Sequence, residues 1–169
     1  MAAELTGTLM LISGDGTEIT ISRNAARHSQ ILADLMEDLP ETETELPIPL
    51  DAVDGASLKI VVEWCEHFAA HQAPQGLKPV GPSKIPQWDA EFLTFEDNDT
   101  IFAVTNAANY MNVQPLLDYA IKTIAAALKG KSTEEMREYL GIESDFTPEE
   151  EAQIRSETQW AEGPSKNYW

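Results

Sequence analysis

Apolar and β-branched residues dominate two short stretches near the start of the chain, Thr8 to Ser13 and Thr17 to Ile21. Short β-prone runs of this kind predict β-strands. Gly14-Asp15-Gly16 joins them, and glycines that tolerate positive φ predict a tight hairpin turn there. Ser22 is placed to cap a helical stretch through His28, and Ser29 to cap another in which Ile31, Leu32, Leu35, Met36 and Leu39 are spaced to face a core. Pro40 ends that run. An acidic loop from Glu41 to Glu45 then leads into Pro47-Ile48-Pro49-Leu50, which proline restricts to a brief edge strand.

The period then becomes helical. Leu58, Val61, Val62, Cys65 and Phe68 make one apolar helix face. Ala73 to Gln87 holds Pro74, Pro79, Pro82, Pro86 and two glycines, the composition of an exposed connection. A helix is expected in the Trp88 to Phe95 region with Trp88 in the core, a second from about Asp99 to Met111, and a longer third from Val113 to Lys129. In the third, Val113, Leu117, Ala120, Ile121, Ile124 and Leu128 recur at helical spacing. Pro115 falls in its first turn, where the missing N–H costs little, and Gly130 stops it. A hairpin followed by successive helices, without regular strand-helix alternation, predicts an α+β fold.

Past Gly130 the signals change character. Ser132-Thr133-Glu134-Glu135 is a capping box, and Thr147-Pro148-Glu149-Glu150 repeats it with proline at the first helical position and carboxylates in the first turn. Two helix starts are therefore strongly specified. Beyond Phe146 the second offers only Ala152, Ile154 and Trp160 as apolar side chains, too few to close a core of its own. Such a segment calls for a partner, and Trp160 is expected to anchor in another protein's pocket.

Composition narrows the possibilities. The 169 residues are 43% apolar, enough for one core plus an appendage, and carry 29 acidic against 11 basic residues for a net charge of -18. That balance opposes binding to nucleic acid or to an anionic membrane surface. The single cysteine, Cys65, has no internal disulfide partner. No basic residue precedes Arg23 and the apolar run Leu9 to Ile12 is short, so no signal peptide is expected and the setting is cytoplasmic and nuclear.

Candidate chemistry is sparse. Glu63, His67 and His71 are spaced four apart and could align as metal ligands, but three ligands at a fraying helix end make a poor preformed site, so a solvated helix end is expected instead. Cys65 reads as a buried apolar side chain, with no local cation to stabilise a thiolate. Gly14 and Gly16 lack the third glycine and following helix of a dinucleotide fingerprint. Ser22, His28 and Ser29 are near in sequence, which does not make a triad. No catalytic residue, metal or cofactor is expected, and the chain is read as a non-enzyme.

The ordered blocks Lys129-Gly130-Lys131, Glu134-Glu135, Asp145-Phe146-Thr147-Pro148-Glu149-Glu150-Glu151 and Gln159-Trp160 resemble the S-phase kinase-associated protein family, the adaptors of SCF cullin-RING ubiquitin ligases. Supporting matches are Glu37-Asp38-Leu39, Trp64-Cys65 with His67, Ile85-Pro86 with Trp88-Asp89, Glu91-Phe92-Leu93 and Ala107-Ala108-Asn109-Tyr110. The resemblance implies a BTB/POZ domain over residues 5–128, a helical F-box-binding extension over 129–163, and a tail over 164–169. It implies that Leu117, Ile121, Ile124, Leu128, Met136, Leu140, Ile142, Phe146 and Trp160 face F-box proteins and that Asn109 and Tyr110 face a cullin.

Thr105 and Asn106 depart from the family, which usually has aliphatic residues there. Met111-Asn112 stands where Leu-Asp is usual, and Thr133 replaces a frequent proline. The departures near Asn109 motivate an alternative, a structural or assembly subunit that uses the same F-box or self-association surface without cullin. Whether the free chain forms a weak homodimer is left open. If Trp160 is an anchor, Trp160→Ala should weaken F-box binding by about 2 kcal/mol or more in titration calorimetry, and a loss below about 0.5 kcal/mol would place it at the rim.

Overall fold

The hairpin turn is fixed by its own aspartate. Asp15 Oδ1 accepts from the Ser13 hydroxyl and from the Thr17 backbone N–H at 3.0 Å, while Oδ2 accepts from the Gly55 N–H at 2.9 Å. One carboxylate thus shapes the turn and ties it to the start of a helix 40 residues later. Gly14 completes the junction: its N–H bonds the Val53 carbonyl at 2.8 Å, and a Cβ there would overlap the backbone carbonyl of Asp51.

The computed structural model describes residues 7–38, 47–71 and 85–158. Along them run β1 (Thr8–Ser13), β2 (Glu18–Ser22), α1 (Arg23–Ala26), α2 (Gln30–Asp38), β3 (Ile48–Leu50), α3 (Gly55–Ala70), α4 (Gln87–Phe92), α5 (Asn98–Tyr110), α6 (Gln114–Leu128), α7 (Thr133–Leu140) and α8 (Pro148–Thr158). The expected α+β class is the one found. The chain divides into two units, one through Lys129 and one from Gly130.

In the first unit the strands form one sheet in the order β2-β1-β3. β1 pairs antiparallel with β2, with Leu9 opposite Ile21 and Leu11 opposite Ile19. β3 pairs parallel with β1, with Leu11 opposite Ile48 and Ser13 opposite Leu50, so the chain crosses over through α1 and α2. The edge position of β3 agrees with Pro49 within it and Pro47 before it; its parallel sense has no local signal. Ile48 and Leu50 are buried while Pro49 between them is exposed, the period-two pattern of a strand covered on one face.

Side-chain caps begin most of the helices. Ser22 Oγ accepts from the Ala25 N–H, Asp54 from Ser57 and Asp97 from Thr100. The Ser29 hydroxyl accepts from the Leu32 N–H at 3.3 Å and donates to the Met111 carbonyl at 2.6 Å, joining α2 to the end of α5. The core under the sheet is made by Leu11, Ile21, Leu32, Leu50, Leu58, Val61, Trp64 and Cys65, and continues through Val104, Met111, Val113 and Leu116.

Several expectations need correction. The first helix stops at Ala26, and His28 lies in the following turn. Leu35 is 37% exposed although it neighbours Leu32 on the helix face: in α2 only Leu32 is fully buried, with Ile31 and Met36 half-buried beside it. Gln87 opens α4 rather than closing the connection, α4 ends at Phe92 rather than Phe95, and Val113 precedes α6 as its cap. Leu39, Pro40, the acidic loop Glu41 to Glu45 and most of the proline-rich connection lie outside the described residues.

Those bonds hold Asp15 well below the usual carboxylate range, the Ser13 hydroxyl first and the Thr17 hydroxyl next. A carboxyl depressed by folding stabilises above its unfolded value of 3.8, and that contribution is lost as pH falls toward the folded value. Asp15→Asn should therefore lower the urea midpoint at pH 7 and lower it by a smaller amount at pH 3, where the unfolded chain is already largely protonated but the folded carboxyl is still ionised. Equal losses at both pH values would contradict the assignment.

Candidate functional site

The helix that leaves the core is α6. Its first half is anchored by Pro115, Leu116, Tyr119 and Ala120, all buried. From Ile121 onward no α6 side chain is fully buried, and Ile121 itself is 50% exposed. Leu117, Ile121, Ile124 and Leu128 lie at i, i+4, i+7 and i+11, one stripe along the helix. Leu117 packs partly against the core, while Ile124 and Leu128 are half-buried. The apolar width of α6 thus exceeds what the core uses. Leu116 and Tyr119, which hold the buried side, escaped the periodicity reading because it followed the neighbouring stripe.

A second presented surface lies at the end of α5. Asn109 and Tyr110 are exposed in its last turn, Tyr110 at 40%, and Asn106 is exposed one turn earlier. Thr105 differs from Asn106 in that its hydroxyl donates to the Ile101 carbonyl at 2.6 Å, so its polarity is satisfied within the helix. Beyond Tyr110, Asn112 adopts φ 53°, a left-handed conformation that asparagine tolerates, and the chain turns into α6.

The second unit is held by caps and ion pairs. In the Ser132 box the serine hydroxyl accepts from the Glu135 N–H at 3.2 Å and the Glu135 carboxylate accepts from the Ser132 N–H at 2.7 Å. Thr147 and Glu150 repeat the exchange at 3.3 and 2.9 Å. α7 ends with Gly141 left-handed at φ 65°, the Gly141 N–H bonding Glu138 and the Ile142 N–H bonding Arg137, a Schellman closure. Between the helices Arg137 pairs with Glu151 at 2.8 Å and Arg155 with Glu134 at 2.7 Å. Arg137 and then Ser144 hold the Glu151 carboxyl below the usual range.

Neither α7 nor α8 buries a single residue. Ile142 is 56% and Phe146 44% exposed, Leu140 and Ile154 are also exposed, and Met136 is half-buried. An open groove of about 530 Å³ runs along Lys131, Arg137, Phe146, Ile154 and Arg155. Two helices with defined ends and uncovered apolar side chains form a surface for a protein, since a small-molecule site would be concave and largely enclosed. Trp160 lies outside the described residues.

None of the residues considered for chemistry forms a reactive set. Ser22 and Ser29 are spent on caps, the former also donating to Glu66 at 2.9 Å. His28 sets its ring edge-on to Trp64 and Phe68, and burial lowers its pKa. Burial pushes the Cys65 thiol up to about 12. Among the described residues no three histidine, cysteine or carboxylate side chains group as metal ligands, and Glu63, His67 and His71 do not converge.

Residues 8–70 match the tetramerisation domain of the Skp1 family and residues 114–161 its dimerisation domain. A protein of Arthroderma benhamiae named E3 ubiquitin ligase complex SCF subunit sconC is 41% identical over 166 residues, covering 96% of this chain and 99% of that protein. Proteins of the same name are 42% identical in Aspergillus flavus, over 93% of this chain and 98% of theirs, and 40% in Talaromyces marneffei, over 94% and 99%. The chain belongs to the Skp1 family. Residues 8–70 of the first unit are the family's POZ domain, and the C-terminal helices match its dimerisation domain. The dimerisation match begins inside the first unit, at Gln114, so the family treats α6, α7 and α8 as one sequence module.

With nothing buried, α7 and α8 should exchange their amides far faster than α3 or α5 in the free chain. Ser132→Ala should reduce the remaining protection of α7 further, by the equivalent of about 1 kcal/mol for a lost cap. Hydrogen exchange with mass spectrometry reads both, and α7 protection equal to that of α3 would overturn the account.

Proposed function

We propose that this Skp1-family chain is a non-catalytic adaptor of an SCF-type E3 ubiquitin ligase, holding F-box substrate receptors at one set of surfaces and a cullin at another. The observation that carries the reading is a well-specified helix pair with no buried side chain, which points to a partner that completes the core. Leu117, Ile121, Ile124 and Leu128 on α6, and Met136, Leu140, Ile142 and Phe146 in the second unit, are assigned to the F-box receptor, together with Trp160. Asn109 and Tyr110 are assigned to the cullin. Residues 5–128 would then serve as the scaffold-facing domain and 129–163 as the receptor-facing extension, working in the cytoplasm and nucleus.

The names of the similar proteins support this role, as SCF subunits of E3 ubiquitin ligase complexes. In that role the adaptor contributes position, and the chemistry of ubiquitin transfer belongs to other subunits. A second reading keeps the F-box surface but omits the cullin. Its support is Asn106, whose carboxamide is exposed on the same end of α5 as Asn109 and Tyr110.

Affinity purification of the tagged full chain from a native extract, followed by mass spectrometry, separates the readings. F-box proteins and a cullin recovered together support the adaptor; F-box proteins alone support the second reading; neither would refute both. Ile121→Asp with Phe146→Asp should remove F-box proteins and keep the cullin, and Tyr110→Ala should do the reverse.

A further inference from the structure

The spaced histidines of α3, unused by any role above, meet α4 in a column of stacked rings. The His67 imidazole lies parallel to the Trp88 indole, ring centres 3.5 Å apart and planes within 2°. The His71 ring stacks on His67 at 4.3 Å, and Phe92 stacks on Trp88 at 4.8 Å. His71 Nδ1 is 2.8 Å from the His67 carbonyl oxygen. A carbonyl only accepts, so Nδ1 carries the hydrogen and Nε2 is the site for a second proton.

α4 has six residues and cannot persist as a helix without tertiary support. It is attached to α3 by this column, by the Phe68 ring set edge-on to Trp88 at 5.8 Å, and by the buried hydrogen bond from Trp64 Nε1 to Asp89 Oδ1 at 2.8 Å. We propose that the His71–His67–Trp88 column is an acid-sensitive latch, closed while the two imidazoles carry at most one proton between them and opened when both are charged.

The electrostatics of the surroundings give the sign. A single imidazolium on the indole face is attracted by the ring's π-electrons. Two imidazolium rings stacked face to face repel, so below the pH at which one of them can give up its proton the repulsion is relieved by one ring moving away. On α3, His71 faces His67, with Glu63 exposed one turn earlier and Glu66 engaged by Ser22. On α4, Asp89 is buried, with Oδ1 taken by Trp64 and Oδ2 without a hydrogen-bond partner. From the turn after α1, His28 approaches through Trp64 and Phe68. Burial first and His71 second hold His67 below its ordinary value of 6.5, against the opposing pull of Asp89. A histidine depressed by folding stabilises fully above that ordinary value and loses the contribution as pH falls from 6.5 toward the folded value. The latch therefore loosens on mild acidification. Because α4 also packs against α6, opening it would uncover the core side of the helix whose other side presents Ile121.

Amide exchange of the full chain, corrected for intrinsic pH dependence, tests the proposal at pH 7.5 and pH 5. Protection of residues 87–93 should fall at least about tenfold relative to α5 in the native sequence and by no more than about twofold in His71→Gln. His71 is exposed, so the variant keeps the fold. His67→Gln should show lower protection that no longer changes with pH. Protection of 87–93 that is independent of pH in the native sequence, or that falls equally in His71→Gln, would overturn the latch. The α5 reference separates it from global loosening through His28.

Discussion

Along the described residues the last fully buried side chain is Ala120. Everything before it is organised by one core; everything after it has to be ordered by other means. Fixing a residue's backbone costs about 1–2 kcal/mol in conformational entropy, and apolar burial is the main term that offsets it. α7 and α8 have almost none of that term. Their shape rests on two capping boxes, a Schellman closure and two ion pairs, one exposed and one half-buried, interactions that specify where a helix begins and ends but add little net stability in water.

A helix pair of this kind is prepared for a partner rather than stable by itself. The caps restrict the unbound ensemble, so a partner that covers Ile142, Phe146 and Ile154 has less ordering to impose on binding. α6 shows the same division within one helix. Leu116, Tyr119 and Ala120 fasten it, and that rigid attachment lets the next turns hold Ile121 out in water, where a lone isoleucine on a loose segment would collapse onto the nearest apolar surface.

How much of this the sequence reveals depends on how local the cause is. The hairpin, the caps at Ser22, Ser29, Ser132 and Thr147, and the stop at Gly130 are written within four or five residues each, and all appear in the structure within a residue or two. The parallel pairing of β1 with β3 depends on a match between Leu11 and Ile48, 37 positions apart, for which no local pattern exists. Leu35 was misplaced because helical spacing identifies a stripe without saying how much of it a small core can cover. Trp64 with Asp89 is a further case, since a buried carboxylate is legible only once its indole partner is in place. The F-box and cullin assignments came from ordered motif blocks; exposure on α5, α6, α7 and α8 is compatible with them but does not name the partner.

The acidic surplus also changes meaning once the bonds are known. A net charge of -18 reads from composition as a solvated, repulsive surface. Yet Asp15, Asp54, Asp97, Glu66, Glu135 and Glu150 each accept backbone N–H groups at turns or helix starts, where ionised acceptors make stronger bonds than neutral ones. The first unit can lose such bonds and still keep its core. The second cannot, because Glu135 and Glu150 carry its two helix starts and nothing is buried beneath them. The two units are therefore held by different means, the first by its core and the second by hydrogen bonds to the carboxylates at its caps.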